Sequence, residues 1–217
     1  MTEAASEARG LVLRDVTIWL NGGELLKLDA MVRPGETLTV MGPSGIGKST
    51  LLAYVGGFLG RDFRASGRIL LNGRDITGLP PERRGIGLLF QDALLLPHLS
   101  VAGNLLIGLG AQVKGRAARD KAVEEALAEV GLEGFADRDP ATLSGGQAAR
   151  VALMRTLLAR PEALILDEPF SRLDVALRAQ VRELVFAEAA KYGLPVLLVT
   201  HDPADAEAAG GHIVELS

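Results

Sequence analysis

LSGGQ, residues 143–147, lies directly ahead of the helical run AARVALMRTLLAR and downstream of a second glycine-rich stretch, GPSGIGKS at 42–49. A serine followed by two glycines at a helix N-terminus offers a hydroxyl and unobstructed backbone N–H groups to an anion, and the helix dipole adds to their pull. Val151, Met154 and Leu158 mark the buried face of that helix. For a lone Ser-Gly-Gly the simpler reading is a helix cap on Ser144. The complete pentapeptide, with Arg150 close behind, favours an anion site built from Ser144, Gly145, Gly146 and Gln147.

The upstream stretch has the form G-x-x-x-x-G-K-[ST], with the apolar run TLTVM before it and the helical run TLLAYVGGF after it. Its glycines let successive N–H groups turn inward towards phosphate oxygens with no side chain in the way. Gly42, Pro43, Ser44, Gly45, Ile46, Gly47, Lys48, Ser49 and Thr50 are therefore the expected nucleotide cradle. Lys48 is placed to reach the β- and γ-phosphates of ATP, and the Ser49 hydroxyl to ligate Mg2+. The loop alone does not say which nucleotide enzyme this is.

ALILDE, residues 163–168, reads as a strand buried on both faces that ends in two carboxylates. Asp167 is placed to hold Mg2+, and Glu168, pointing elsewhere, to act on an attacking water as general base. An Asp-Glu pair on a surface loop is the alternative for this stretch alone. Its pairing with the phosphate loop argues against that.

The chain of 217 residues carries a formal net charge of −4, which gives no support to nucleic-acid binding. It contains no cysteine, which removes disulfides and thiolate metal sites and fits a reducing cytosol. The opening MTEAASEARG is too polar for a signal peptide. No apolar run approaches the roughly eighteen residues that a membrane-spanning helix needs. Short apolar runs predict strands at 11–18, 25–32, 37–41, 68–72, 86–90, 163–167, 195–200 and 212–216. The first of these stand too close together for crossover helices, so an antiparallel part precedes the parallel sheet. From about 98 to 142 the pattern is helical: Val123, Ala126, Leu127 and Val130 share one face, Gly131 can end that helix, and Ser100 can cap the one before it. The expected organisation is one α/β domain over 1–217, with a core at 1–92 and 148–217 and an inserted helical lobe at about 93–147.

In order and spacing these motifs resemble the ATP-binding subunits of ABC transporters, over nearly the whole chain. The resemblance implies a P-loop ATPase of that type, with a mixed sheet core, an N-terminal antiparallel β part and a helical lobe. It implies further roles for single residues. Trp19 matches the aromatic that stacks on adenine, although a core tryptophan at a strand end is the alternative. Gln91, in LLFQD, matches the glutamine that contacts Mg2+ and the attacking water. SRLD at 171–174 matches a loop crossing a dimer interface. His201, in LLVTHD, matches the histidine that contacts the γ-phosphate; the alternative is a simple loop cap.

The stretches LPPERRGIGLLFQDALLLPHLSVAGNL and DEPFSRLDVALR are most similar to bacterial importer ATPases of the polyamine, ferric-iron and thiamine type, and FQDALL to YnjD-like members. Such proteins pair two copies around two ATP molecules. They sit on the cytoplasmic face of the membrane beside integral permease subunits, with an extracytoplasmic solute-binding protein as indirect partner. An exporter or lipoprotein-release ATPase shares the same motifs and is the alternative. Ala148 and Arg172 depart from the family pattern, and the chain ends at Ser217 without the C-terminal β domain of larger relatives.

Overall fold

Asn21 and Gly22, both at positive φ (51° and 85°), form a two-residue turn that folds β1 (Leu11–Leu20) back on β2 (Gly23–Val32). This pairing of residue types is the one that matches the twist of antiparallel strands. In a computed structural model that describes residues 9–111 and 113–216, β1 also pairs antiparallel with β4 (Phe63–Leu71), which is extended by the short β5 (Arg74–Asp75). The resulting sheet has the order β2-β1-β4-β5. The reading of the first residues as no signal peptide, and the chain end at Ser217, fall outside the described residues.

A second sheet joins β3 (Thr37–Met41), β6 (Ile86–Leu89), β7 (Ala163–Asp167), β8 (Val196–Val199) and β9 (His212–Glu215) in the order β6-β7-β8-β3-β9. Neighbours β7/β8, β8/β3 and β3/β9 run parallel. The four residues of β8 and the first four of β7 and β3 are buried, as continuous apolar runs in a covered parallel sheet should be. The antiparallel part is thus a separate sheet, and β3 belongs to the parallel one. Expected strands agree with these within two residues at each end, except that β4 starts at Phe63 rather than 68. FRASG lacks an apolar run of its own, and pairing with β1 is what extends it.

One core binds the two sheets and α1 (Lys48–Gly56). Leu13, Ile18 and Ile69 come from the first sheet, Val40, Ile165 and Leu197 from the second, and Leu51 and Val55 from the helix. The last turn of α1 ends on a buried arginine. Arg84, 5% exposed, donates through Nη1 to the carbonyls of Tyr54 and Val55 at 2.8 and 2.9 Å, through Nη2 to Thr77 at 2.6 Å and through Nε to Leu79 at 2.8 Å. It thereby ties the end of α1, where the Tyr54 carbonyl also accepts from Gly57 N–H, to the segment Thr77–Leu79.

The chain divides into two compact units. The first is Met1–Leu88, Glu162–Glu168 and Phe186–Ser217; the second is Leu89–Pro161 and Pro169–Val185. The second holds α2 (Val101–Gly108), α3 (Arg116–Glu129), α4 (Gly145–Leu158) and the start of α5 (Val175–Lys191). The Ser100 hydroxyl accepts from Gly103 N–H at 3.2 Å, capping α2, and Val123, Ala126 and Leu127 are the buried face of α3. The unit takes in more chain than the 93–147 expected for the lobe because α4 packs on α2. At Gly108 an added Cβ would lie 2.1 Å from the Arg155 carbonyl oxygen, so only glycine permits the approach. Among the described residues no helix is long and apolar enough to cross a membrane.

Replacing Arg84 by Leu removes four hydrogen bonds, two to carbonyls at the end of α1 and two to the carbonyls of Thr77 and Leu79. Denaturant unfolding should show a loss of about 2–4 kcal/mol, with the midpoint lowered and the slope unchanged.

Candidate functional site

The phosphate loop runs from the end of β3 into α1. Gly42, Gly45 and Gly47 all take positive φ (151°, 84° and 103°), and Gly47 is the residue from which α1 starts. At Gly47 a Cβ would stand 2.9 Å from both Leu25 Cγ and Leu26 Cδ2, so the loop lies directly on β2. Lys48, 7% exposed, turns its ammonium back onto the loop and donates to the carbonyls of Gly42 at 2.7 Å and Pro43 at 3.0 Å.

Two further segments of the same unit meet this loop. Ser49 Oγ donates to Asp167 Oδ1 at 3.1 Å, joining the first turn of α1 to the end of β7. Burial pushes the Asp167 carboxyl above its ordinary pKa; the Ser49 hydrogen bond opposes that, the neighbouring Glu168 charge adds to it, and the Lys48 charge opposes it. A desolvated carboxylate beside a hydroxyl is a fitting donor pair for Mg2+, which characteristically takes one or two protein oxygens and completes its shell from phosphate and water. No group of three or more metal-binding side chains occurs among the described residues, and a phosphate-completed site needs none.

Glu168 follows at φ 45°, a left-handed conformation that is costly for a non-glycine residue and is held by its N–H on the Val199 carbonyl at 2.9 Å. His201, just past β8, brings Nδ1 to 3.1 Å from Glu168 Oε1. Asp202 accepts from Ala204 N–H at 2.9 Å and begins α6 (Pro203–Ala209), so the adjacent Asp202, rather than His201, takes the capping role. Lys48, Ser49, Asp167, Glu168 and His201 therefore come from one unit.

Gln91 and the signature belong to the other. Gln91 is exposed just past β6. Ser144 and Gln147 form a reciprocal capping box at the N-terminus of α4: Ser144 Oγ accepts from Gln147 N–H at 3.3 Å, and Gln147 Oε1 accepts from Ser144 N–H at 3.0 Å. Ser144 and Gly145 are exposed and Gly146 is buried. Arg172 pairs with Asp92 within this unit, and Asp174 accepts from Leu177 N–H at 3.0 Å to start α5.

The cavity over the phosphate loop, about 290 Å³, is lined by Ser44, Gly45, Gly47, Lys48, Ser49, Thr50 and Glu168, and on its apolar side by Leu20, Leu25 and Phe63. Trp19 lines a separate depression with Asn21, Gly22, Arg61, Asp62 and Arg64. The structure thus does not bring Trp19 to the phosphate loop, because successive side chains of a strand point to opposite faces. Leu20, Leu25 and Phe63 were missed by sequence reasoning; alternation along β1 was an available signal for Leu20 alone.

A family model described as ABC transporter matches residues 25–171. YnjD of Escherichia coli, described as an uncharacterized ABC transporter ATP-binding protein, is 51% identical over 199 residues, 91% of each chain. The thiamine import ATP-binding protein ThiQ of Cereibacter sphaeroides is 47% identical over 185 residues, which is 85% of this chain and 79% of that protein. The spermidine/putrescine import ATP-binding protein PotA of Frankia alni is 48% identical over 181 residues, 83% of this chain but only 38% of the relative.

The raised pKa of Asp167 fixes a sign. Its folded-state pKa lies above the unfolded one, so its contribution favours the fold at low pH and is lost as pH rises through the raised value. Asp167→Asn keeps an acceptor for Ser49. In nucleotide-free protein it should raise Tm at neutral pH, and the gain should vanish below about pH 4. A gain that is equal at both pH values would contradict this.

Proposed function

Because the chain belongs to the ABC transporter family of ATP-binding proteins, we propose that it is the ATP-hydrolysing subunit that powers solute uptake through a separate membrane permease. The importer names of relatives that match 83–85% of the chain support uptake rather than export. The observation that carries the catalytic reading is the convergence of Lys48, Ser49, Asp167, Glu168 and His201 from three separate strand ends of one unit.

Two copies pair head to tail around two ATP molecules in this reading. Each site takes Lys48, Ser49, Gln91, Asp167, Glu168 and His201 from one chain and Ser144 to Gln147 from the other, an isologous arrangement. The exposed N-terminus of α4 suits the second part. The Ser144 oxygen accepts from its own helix, and its hydrogen remains as a donor for a phosphate oxygen. Lys48 and the loop N–H groups bind and orient the triphosphate. Glu168 takes a proton from the water that attacks the γ-phosphorus, while ADP leaves with the bridging oxygen. His201 holds the Glu168 carboxylate in position and can donate to the γ-phosphate. Ser49 and Asp167 would hold Mg2+, with Gln91 in the role the resemblance implies, and the ion would neutralise charge on the phosphates.

The partner in the membrane is the permease. Phe90, Leu94, Leu96 and Ile107 are exposed apolar side chains of the second unit, around Gln91 and on α2, and form a suitable contact surface for it. With that contact the protein lies peripherally on the cytoplasmic side of the membrane, and an extracytoplasmic solute-binding protein acts on it only through the permease. Purification with the bound permease, followed by a screen of solutes for ATPase stimulation, would identify the cargo.

Glu168→Gln should lower turnover by at least about a hundredfold and leave an ATP-trapped dimer detectable by light scattering. Unchanged turnover would remove the base role from Glu168. In mixed dimers, Ser144→Arg in one chain should silence one of the two sites, and full activity in both would exclude the shared geometry.

A further inference from the structure

Thr200 and Asp205 are buried polar side chains, 1% and 2% exposed, on either side of His201. They belong to the turn that leaves β8. Thr200 N–H still donates to the Val40 carbonyl of β3, at 3.4 Å, where the sheet ends. The Thr200 hydroxyl then bonds in both directions. It accepts from Asp202 N–H at 3.0 Å and donates to Asp205 Oδ2 at 3.1 Å. Asp205 N–H in turn donates to the Asp202 carbonyl at 3.1 Å. The turn is closed on itself around His201, whose side chain stays outside, 61% exposed, with Nδ1 3.1 Å from Glu168 Oε1. All these residues belong to one unit.

Burying a carboxylate is costly unless hydrogen bonds satisfy it. The start of α6 does not require Asp205, because Asp202 already accepts from Ala204 N–H and Pro203 takes the first helical position. An apolar residue at 205 would carry no such cost. What Asp205 adds is direction. An ionised carboxylate only accepts, so it commits the Thr200 proton to one side and leaves the hydroxyl lone pairs to the Asp202 N–H. The backbone N–H groups before and after His201 are then both held, and the stem of the imidazole has little freedom. An exposed side chain that meets a single carboxylate depends on such support, since a displacement of about 1 Å can cost on the order of a hundredfold in rate.

We propose that Thr200 and Asp205 are positioning residues for the hydrolysis assigned above. They fix the turn 200–205 so that His201 stays against Glu168, and being buried they touch neither nucleotide nor water. The assignment rests on the catalytic reading of Glu168 and His201. Their effect on turnover passes through His201, whereas binding of the triphosphate falls to Lys48 and the phosphate loop and is independent of them.

The test combines steady-state hydrolysis, equilibrium binding of Mg-ATP and proton NMR of the imidazoles, all on the full chain. With only His98, His201 and His212 present, the imidazole signals are resolvable, and His201→Gln assigns the one of interest. Thr200→Val keeps the side-chain volume and deletes the hydroxyl, and Asp205→Ala deletes the carboxylate. Each should lower kcat by about tenfold and leave Mg-ATP affinity within about twofold. Each should also move the His201 resonance and leave those of His98 and His212 in place. Thr200→Ser and Asp205→Asn, which keep an oxygen at the same site, should recover both kcat and the wild-type resonance. Circular dichroism reports folding, and if one deletion does not fold, the other with its conservative counterpart decides. Loss of the fold in both would assign the pair to stability and overturn the proposal. Wild-type kcat in a folded deletion variant overturns it too, as does a tenfold loss of Mg-ATP affinity or a His201 resonance that stays in place while kcat falls. If the wild type shows no turnover while the resonance responds as described, the hydrolytic reading falls and the bracing of His201 stands.

Discussion

A lysine ammonium with little access to water must find oxygen acceptors within the protein, and Lys48 finds them in the loop that precedes it. Its bonds to the Gly42 and Pro43 carbonyls draw the phosphate loop into a closed curve, with a positive charge beneath it. Around that charge the other segments are fixed. Asp167 is tied to the helix by Ser49 across 118 residues of sequence, and Glu168 is held in a costly backbone conformation by the carbonyl of Val199. The carboxylates and the ammonium oppose one another's charge at one edge of a parallel sheet. That edge is where such sheets place their ligands.

The two units divide the labour by chemistry. The first carries the groups that the proposed function assigns to the phosphate chain: a cation, a hydroxyl, two carboxylates and an imidazole. The second carries the signature, whose groups at the start of α4 are mostly backbone N–H donors and one hydroxyl. Within that helix start, the cap and the proposed anion site share the same residues. The reciprocal hydrogen bonds of Ser144 and Gln147 hold the first turn open, and the glycine at 145 leaves its donors exposed.

Much of this was legible in the sequence because it depends on local rules. The phosphate loop, the buried strand 163–167 and the caps at Ser100 and Ser144 each need particular residue types at fixed offsets, and the structure places these elements where the spacing predicts. What was not legible depends on pairing between distant strands. Phe63 sits in a stretch without an apolar run, so its strand was expected to start five residues later, and its partnership with Leu20 was invisible. Trp19 was singled out by its match to the adenine-stacking aromatic, yet the face it occupies is set by register rather than by residue type. The wide extent of the second unit was hidden for the same reason, since it is fixed by the packing of α4 on α2 and not by helical periodicity.

The contact between Gly108 and the Arg155 carbonyl has a mechanical consequence. With no atom between the two backbones, α2 and α4 cannot slide or rotate past one another without collision. The Arg155 guanidinium also fastens the carbonyls of Ala93 and Leu94, in the loop that follows Gln91. The exposed loop after Gln91 and the helix α2 are thus both fastened to the last turns of α4, and the closest of these contacts exists only because residue 108 lacks a methyl group.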